Sequence, residues 1–156
     1  MKKFSTLFIT CIVFIFSTVM LSAHADEKRT AGFDHIGLAV SDLDASATFF
    51  VDVLDFKIRG RDKKYPAAFL NNGSMTLTLW QTSDDAVKFD RKNNVGLHHL
   101  AIKATSFEAL DALYEKMKSM PSVTIEFAPE LFYGGPAKHM IFREPSGNRI
   151  EVIYRP

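Results

Sequence analysis

Residues 33–40 alternate. Ile36, Leu38 and Val40 fall on one side of an extended strand, and Phe33, His35, Gly37 and Ala39 on the other. Ser41-Asp42-Leu43-Asp44 follows as a helix start, with Ser41 or Asp42 as the cap. The helical pattern runs over Ala45–Leu54, weighted by Phe49, Phe50, Val53 and Leu54. Three strand-like runs come next, Phe56–Arg61, Tyr65–Leu70 and Met75–Trp80, with a turn at Asn71-Asn72-Gly73 before the last. A polar, charged linker occupies 82–95, and then the order repeats. Leu97–Ala104 reads as a strand, and Thr105-x-x-Glu108 has capping-box form. Phe107, Leu110, Leu113, Tyr114 and Met117 make a helical stripe whose reading is core packing. Val123–Phe127, Ala137–Arg143 and Arg149–Tyr154 are the closing strands, with a type I turn at Glu144-Pro145-Ser146-Gly147.

The pattern therefore predicts an α+β domain over 33–156, built from two βαβββ modules, 33–81 and 96–154. Residues 26–32 form a short leader ahead of it. Residues 1–25 read differently. Lys2 and Lys3 precede an uncharged apolar run, Phe4–Leu21, and Ala23-His24-Ala25 is a small-x-small cleavage pattern. This is the form of a secretory signal peptide and implies a periplasmic or secreted protein. The run is just long enough to span a bilayer, so a retained anchor is the alternative, with the cleavage pattern favouring removal. Cys11, the only cysteine, lies inside the run, which leaves residues 26–156 with neither disulfide nor thiol nucleophile. Of 19 basic and 18 acidic residues, the first 25 hold two lysines and no acid, so the remainder balances at 17 against 18. Nothing in that balance points to nucleic acid, or to a membrane surface after signal cleavage.

Candidate chemistry sits at equivalent places in the two modules. His35 and His99 head the same pattern 64 residues apart, with a small residue, Gly37 or Ala101, two positions on. Two equivalent imidazoles brought face to face would make a metal site. Glu151 lies in the last strand with Ile150, Val152 and Tyr154 on its apolar face, so its carboxylate points to the other face and needs a partner. Two imidazoles and one carboxylate suit a facial triad. The plainer readings are a hydrogen-bonded strand histidine in each module and a Glu151 paired with Arg149 or Arg143. His98 falls on the apolar-side parity and reads as structural. His139 faces either the cleft or the helix, depending on hairpin register. Tyr133-Gly134-Gly135-Pro136 is a loop that could cover a cleft.

Three stretches, Asp34–Leu43, Gly96–Ala101 and Glu144–Val152, together resemble the vicinal oxygen chelate superfamily of glyoxalase I, fosfomycin-inactivating thiol transferases, bleomycin-binding proteins, methylmalonyl-CoA epimerase and extradiol dioxygenases. The resemblance implies paired modules whose curled mixed sheets enclose a cleft with helices on the outer face, commonly in homodimers. It carries metal ligation to His35, His99 and Glu151, holding one divalent ion (Fe, Mn, Zn or Ni), and implies a small oxygen-rich substrate. Lyase, isomerase and dioxygenase chemistry all remain open, as does a metal-free binding protein of the bleomycin-resistance type. The fourth ligand of glyoxalase I and the epimerase would fall at Thr76 or Thr78 by alternation, or at Leu77 if aligned on Gly73, and none of these is an acid or amide. The Tyr and His of extradiol enzymes fall at Ile141 and Phe132. His139 and Tyr133 are the remaining candidates for a catalytic role.

Overall fold

Strand β1 (His35–Val40) obeys its alternation: Leu38 and Val40 are buried while His35, Gly37 and Ala39 are exposed. The computed structural model describes residues 29–156, so the signal-peptide expectation over 1–25 lies outside the described residues. Phe33–Pro156 forms one unit. No helix among the described residues is long and apolar enough to cross a membrane.

Helix α1 (Leu43–Leu54) is capped by Asp42, whose carboxylate accepts the Ala45 N–H at 2.9 Å. It ends on Asp55 in the left-handed region at φ 58. Strands β2 (Lys57–Asp62), β3 (Ala67–Asn71) and β4 (Thr76–Gln81) complete the first module as a mixed sheet of order β1-β4-β3-β2. The second module repeats the plan with β5 (Leu100–Lys103), α2 (Phe107–Met117), β6 (Thr124–Leu131), β7 (Lys138–Arg143) and β8 (Arg149–Tyr154), in order β5-β8-β7-β6. In each sheet the first strand pairs parallel with the last, and the other pairs are antiparallel. These are the two α+β modules expected.

Three boundaries differ from the sequence expectation. The cap of α2 is Ser106, which accepts the Ala109 N–H at 3.1 Å, so the Thr105-x-x-Glu108 capping box does not form. Both residues can cap, and the side chain nearer the first helical N–H groups takes the role. Strand β5 begins at Leu100 rather than Leu97, leaving His98 and His99 just outside the ladder. Strand β6 runs on to Leu131, with register irregularities on either side of Phe127.

One core serves both modules. Leu38, Leu70, Leu77 and Leu79 of the first sheet share an apolar cluster with Met140, Phe142, Ile150 and Val152 of the second, and α1 and α2 contribute Phe49, Phe50 and Leu110. Phe49 and Phe142 join the modules directly, with ring centroids 5.7 Å apart. The turn at Glu144–Gly147 fastens the seam. Glu144 is buried, and its carboxylate accepts from the Ser46 hydroxyl at 2.6 Å, the Ser146 and Asn148 N–H groups and the Asn148 side-chain amide. The Asn148 amide also donates to Ala39 O across the seam at 2.8 Å. Four donors satisfy a carboxylate that would otherwise be costly to bury. Gly147, at φ 93, allows the chain to leave the turn into β8.

Candidate metal site on the open faces of the sheets

Since the apolar faces of both sheets meet in a single core, the opposite face of each sheet is left for chemistry. On the second sheet, parity and register put His99, Ala101, Glu151, Ile141 and His139 on that open face. Pairing of Ile141 with Glu151 settles the orientation of His139, which lies on the same face as the carboxylate and away from the helix. His139 is buried, and its Nδ1 hydrogen-bonds Glu151 Oε1 at 2.6 Å. Its ring stands edge-on to Phe132, and its Nε2 lies 3.5 Å from Glu130 Oε1. The other carboxylate oxygen, Glu151 Oε2, lies 3.2 Å from His99 Nε2. Two donors bound cis to one ion at about 2.1 Å each stand about 3 Å apart, so this spacing fits a shared divalent cation.

Glu151 is free of the guanidinium groups that could have claimed it. Arg149 and Arg143 instead clasp Glu126, at 2.6 Å and 2.7 Å. Burial pushes the Glu126 carboxyl up, but the hydrogen bond and charge of Arg149, joined by those of Arg143, outweigh burial and hold it below its ordinary value. His98 is exposed and does not belong to the apolar face. Its Nδ1 lies 2.8 Å from His99 Nδ1, leaving His99 Nε2 to face Glu151. Desolvation, then the nearby Arg149, the neighbouring His99 and Arg91, hold His98 below the usual imidazole range, with Glu126 pulling weakly the other way.

His35 stands apart. It lies on the open face of the first sheet, exposed, with Nδ1 held by Asp34 Oδ1 at 2.6 Å. Among the described residues no three His, Cys, Asp or Glu side chains are placed to hold one ion. A single chain thus brings together two of the three sequence candidates, and the expected convergence of His35 with His99 and Glu151 does not occur within it. The physical reason is the shared core: each open face is turned away from it. Within one chain the pair available to a divalent ion is His99 and Glu151. Tyr133, at φ 51, is 94% exposed and packs edge-on to Phe132.

Register also decides the alignment that the sequence left open in β4. Gly37 pairs with Thr78 as Ala101 pairs with Glu151, so Thr78 is the counterpart of the carboxylate, while Leu77 is fully buried in the core. Thr78 accepts from the Trp80 indole at 2.9 Å. Trp80, Tyr65 and Phe69 cluster there, with centroids 5.2 Å and 5.8 Å from Trp80. Sequence reading missed the Glu126 clamp and the His98–His99 contact. Glu126 sits beside a register irregularity that simple alternation does not capture, and the contact depends on β5 starting late.

The fold recurs in known structures. A glyoxylase/bleomycin resistance protein/dioxygenase domain from Frankia sp. EAN1pec superposes with a TM-score of 0.69 at 24% identity, covering 81% of this chain and 93% of that one. A genomically encoded fosfomycin resistance protein from Listeria monocytogenes gives 0.65 at 17% identity, over 81% and 95%. A lactoylglutathione lyase from Agrobacterium tumefaciens gives 0.62 at 20% identity, over 81% and 96%. No curated protein matches the sequence significantly. The family model described as Glyoxalase/Bleomycin resistance protein/Dioxygenase superfamily matches residues 32–152, and this chain belongs to that superfamily.

Proposed function

We propose that this chain is an exported, metal-dependent member of the superfamily that chelates and polarises a small oxygen-rich ligand, acting as a homodimer. The observation that carries the reading is the 3.2 Å approach of His99 Nε2 and Glu151 Oε2, with Arg143 and Arg149 diverted to Glu126. In this reading His99 and Glu151 hold the ion, and His35 of a second copy supplies the third donor, its Asp34 contact leaving Nε2 available. Bound there, a divalent ion would supply Lewis acidity or oxygen activation. His139 holds the second oxygen of Glu151 and so fixes the direction in which the first one points. Whether the outcome is lyase, isomerase or dioxygenase chemistry is not assigned.

A metal-free binding protein is the second reading, and two observations favour it. Imidazoles already engage both Glu151 oxygens, and an aromatic cluster around Trp80 lines the open face of the first sheet. Metal analysis after incubation with Fe, Mn, Zn and Ni separates the two. Metal bound by the wild type and lost in His35→Ala, His99→Ala and Glu151→Ala, each still folded, supports the first reading. No metal above background in the wild type replaces it with the second. Mixing dissociated His35→Ala and Glu151→Ala chains is the sharper test. If sites form between copies, random re-pairing restores roughly a quarter of wild-type metal, because half the dimers are mixed and each of those has one intact site. Sites built within one chain would restore none. Export is checked by N-terminal sequencing: a start at Asp26 supports it, and a chain retaining Met1 refutes cleavage.

A further inference from the structure

The linker between the modules crosses the seam at Lys88 and Phe89, and a cavity of about 440 Å³ lies beneath it. Arg143, Ser122, Thr124 and the turn at Pro145–Gly147 form its other walls. This volume falls within the range that accommodates a small organic molecule. Its donors are unevenly used. Arg143 spends Nε on Glu126 and Nη1 on Gly147 O, which leaves Nη2 without an acceptor among the described residues. Its guanidinium lies over the Phe89 ring at 5.7 Å, which holds it in place. Among the described residues Lys88 forms no ion pair. The wall carboxylate, Glu144, is buried and saturated by four donors, one of them the Ser46 hydroxyl of α1. Lys88 and Phe89 also line a second cavity of about 230 Å³, to which Thr82 contributes. Thr82 Oγ1 is buried and has no hydrogen-bond partner among the described residues. A buried hydroxyl without a partner calls for a water or a ligand atom.

We propose that the cavity beneath Lys88 and Phe89 binds a small organic oxyanion. Lys88 Nζ and Arg143 Nη2 supply the charge, the Ser122 and Thr124 hydroxyls supply neutral donors, and the Phe89 ring supplies an apolar wall for the rest of the molecule. The site uses none of His35, His99 or Glu151, so it stands or falls independently of the metal reading.

The test is titration of the purified chain with inorganic phosphate and, separately, with acetate, followed by amide NMR and calorimetry. Saturable shifts confined to residues 88–89, 122–124 and 143–147 are expected. Tighter binding of phosphate assigns a phosphate-type ligand, and tighter binding of acetate assigns a carboxylate. Lys88→Ala should weaken binding about tenfold, the effect of losing one charge-assisted hydrogen bond, with the thermal midpoint unchanged. Thr124→Val should weaken it by a smaller factor. Lys57→Ala, on exposed β2, should leave it unchanged. The proposal is overturned if neither anion gives saturable shifts there, or if Lys57→Ala weakens binding as much as Lys88→Ala does.

Discussion

The two modules have kept one face in common and let the other diverge. On the core face, Leu77 and Ile150 occupy equivalent places, as do Leu79 and Val152, Ala68 and Met140, and Leu70 and Phe142; all are buried and apolar. On the open face the same superposition sets Thr78 against Glu151, Ala67 against His139, Thr76 against Arg149 and Trp80 against Ile153. The module that keeps a carboxylate also has an imidazole behind it and an ionic clamp beside it. The other keeps one histidine and an aromatic cluster. Core positions are held to a common character by packing, which tolerates little change in volume or polarity. Open-face positions are constrained by whatever they bind, so a repeated scaffold yields two unlike open faces.

The largest effects are expected on the shared face. Leu70→Ala should cost about 2–5 kcal/mol and Phe142→Ala about 3–5 kcal/mol, through lost burial and the cavities left behind. Denaturant unfolding checks both. A cooperative transition shifted by either substitution would show that the modules unfold as one, as their common cluster requires. Two separate transitions, each sensitive to only one substitution, would break the comparison, since the modules would then be independent units.

A smaller effect separates the open faces. At the rank where the second module has Arg149 and Arg143 on Glu126, the first has a neutral bond from the Asn71 amide to Thr76 at 3.0 Å. Glu126→Gln should cost about 2 kcal/mol at neutral pH, the scale of hydrogen bonds to a charged group. The sign with pH follows from the lowered carboxyl. Its contribution is complete above the ordinary value of 4.5 and is lost as pH falls through the depressed folded value. Stability of the wild type and the Gln variant should therefore converge on acidification. Asn71→Ala should cost less and show no such convergence. A Glu126→Gln penalty that persists in acid would mean that shape, not charge, holds the clamp.

Much of this was legible in the chain because alternation and caps are local. Residues 149–154 form β8 as expected, and the parity of Ile36, Leu38 and Val40 assigned the face of β1. What was hidden depends on distant pairing. His139 could not be oriented until Ile141 was known to pair with Glu151. The separation of His35 from His99 was hidden for a deeper reason. Both histidines follow the same local rule, but which way the two sheets face is decided by the apolar cluster that joins them, and no single strand carries that information.

The smallest expected effect tests a likeness rather than a difference. In each module the residue just before the candidate ligand holds its Nδ1: Asp34 for His35 at 2.6 Å, and His98 for His99 at 2.8 Å. Sequence parity reads His98 as structural and gives it no part in the site. The contact argues otherwise. An imidazole that binds through Nε2 must donate from Nδ1, and His98 Nδ1 is the acceptor in reach. His98→Ala should therefore weaken divalent-metal affinity about tenfold without altering the fold, at the low end of the effect of losing such an orienting partner. His98→Asp should keep the affinity near wild type, because it gives the second module the partner that the first already has. Calorimetric titration with Zn and Mn, alongside a thermal midpoint for each variant, measures both. If His98→Ala binds as tightly as wild type, the His98–His99 contact is incidental and the likeness between the modules stops at the histidines themselves. If His98→Asp binds as weakly as His98→Ala, a carboxylate cannot serve in that place, and the likeness to the Asp34–His35 pair is one of position alone.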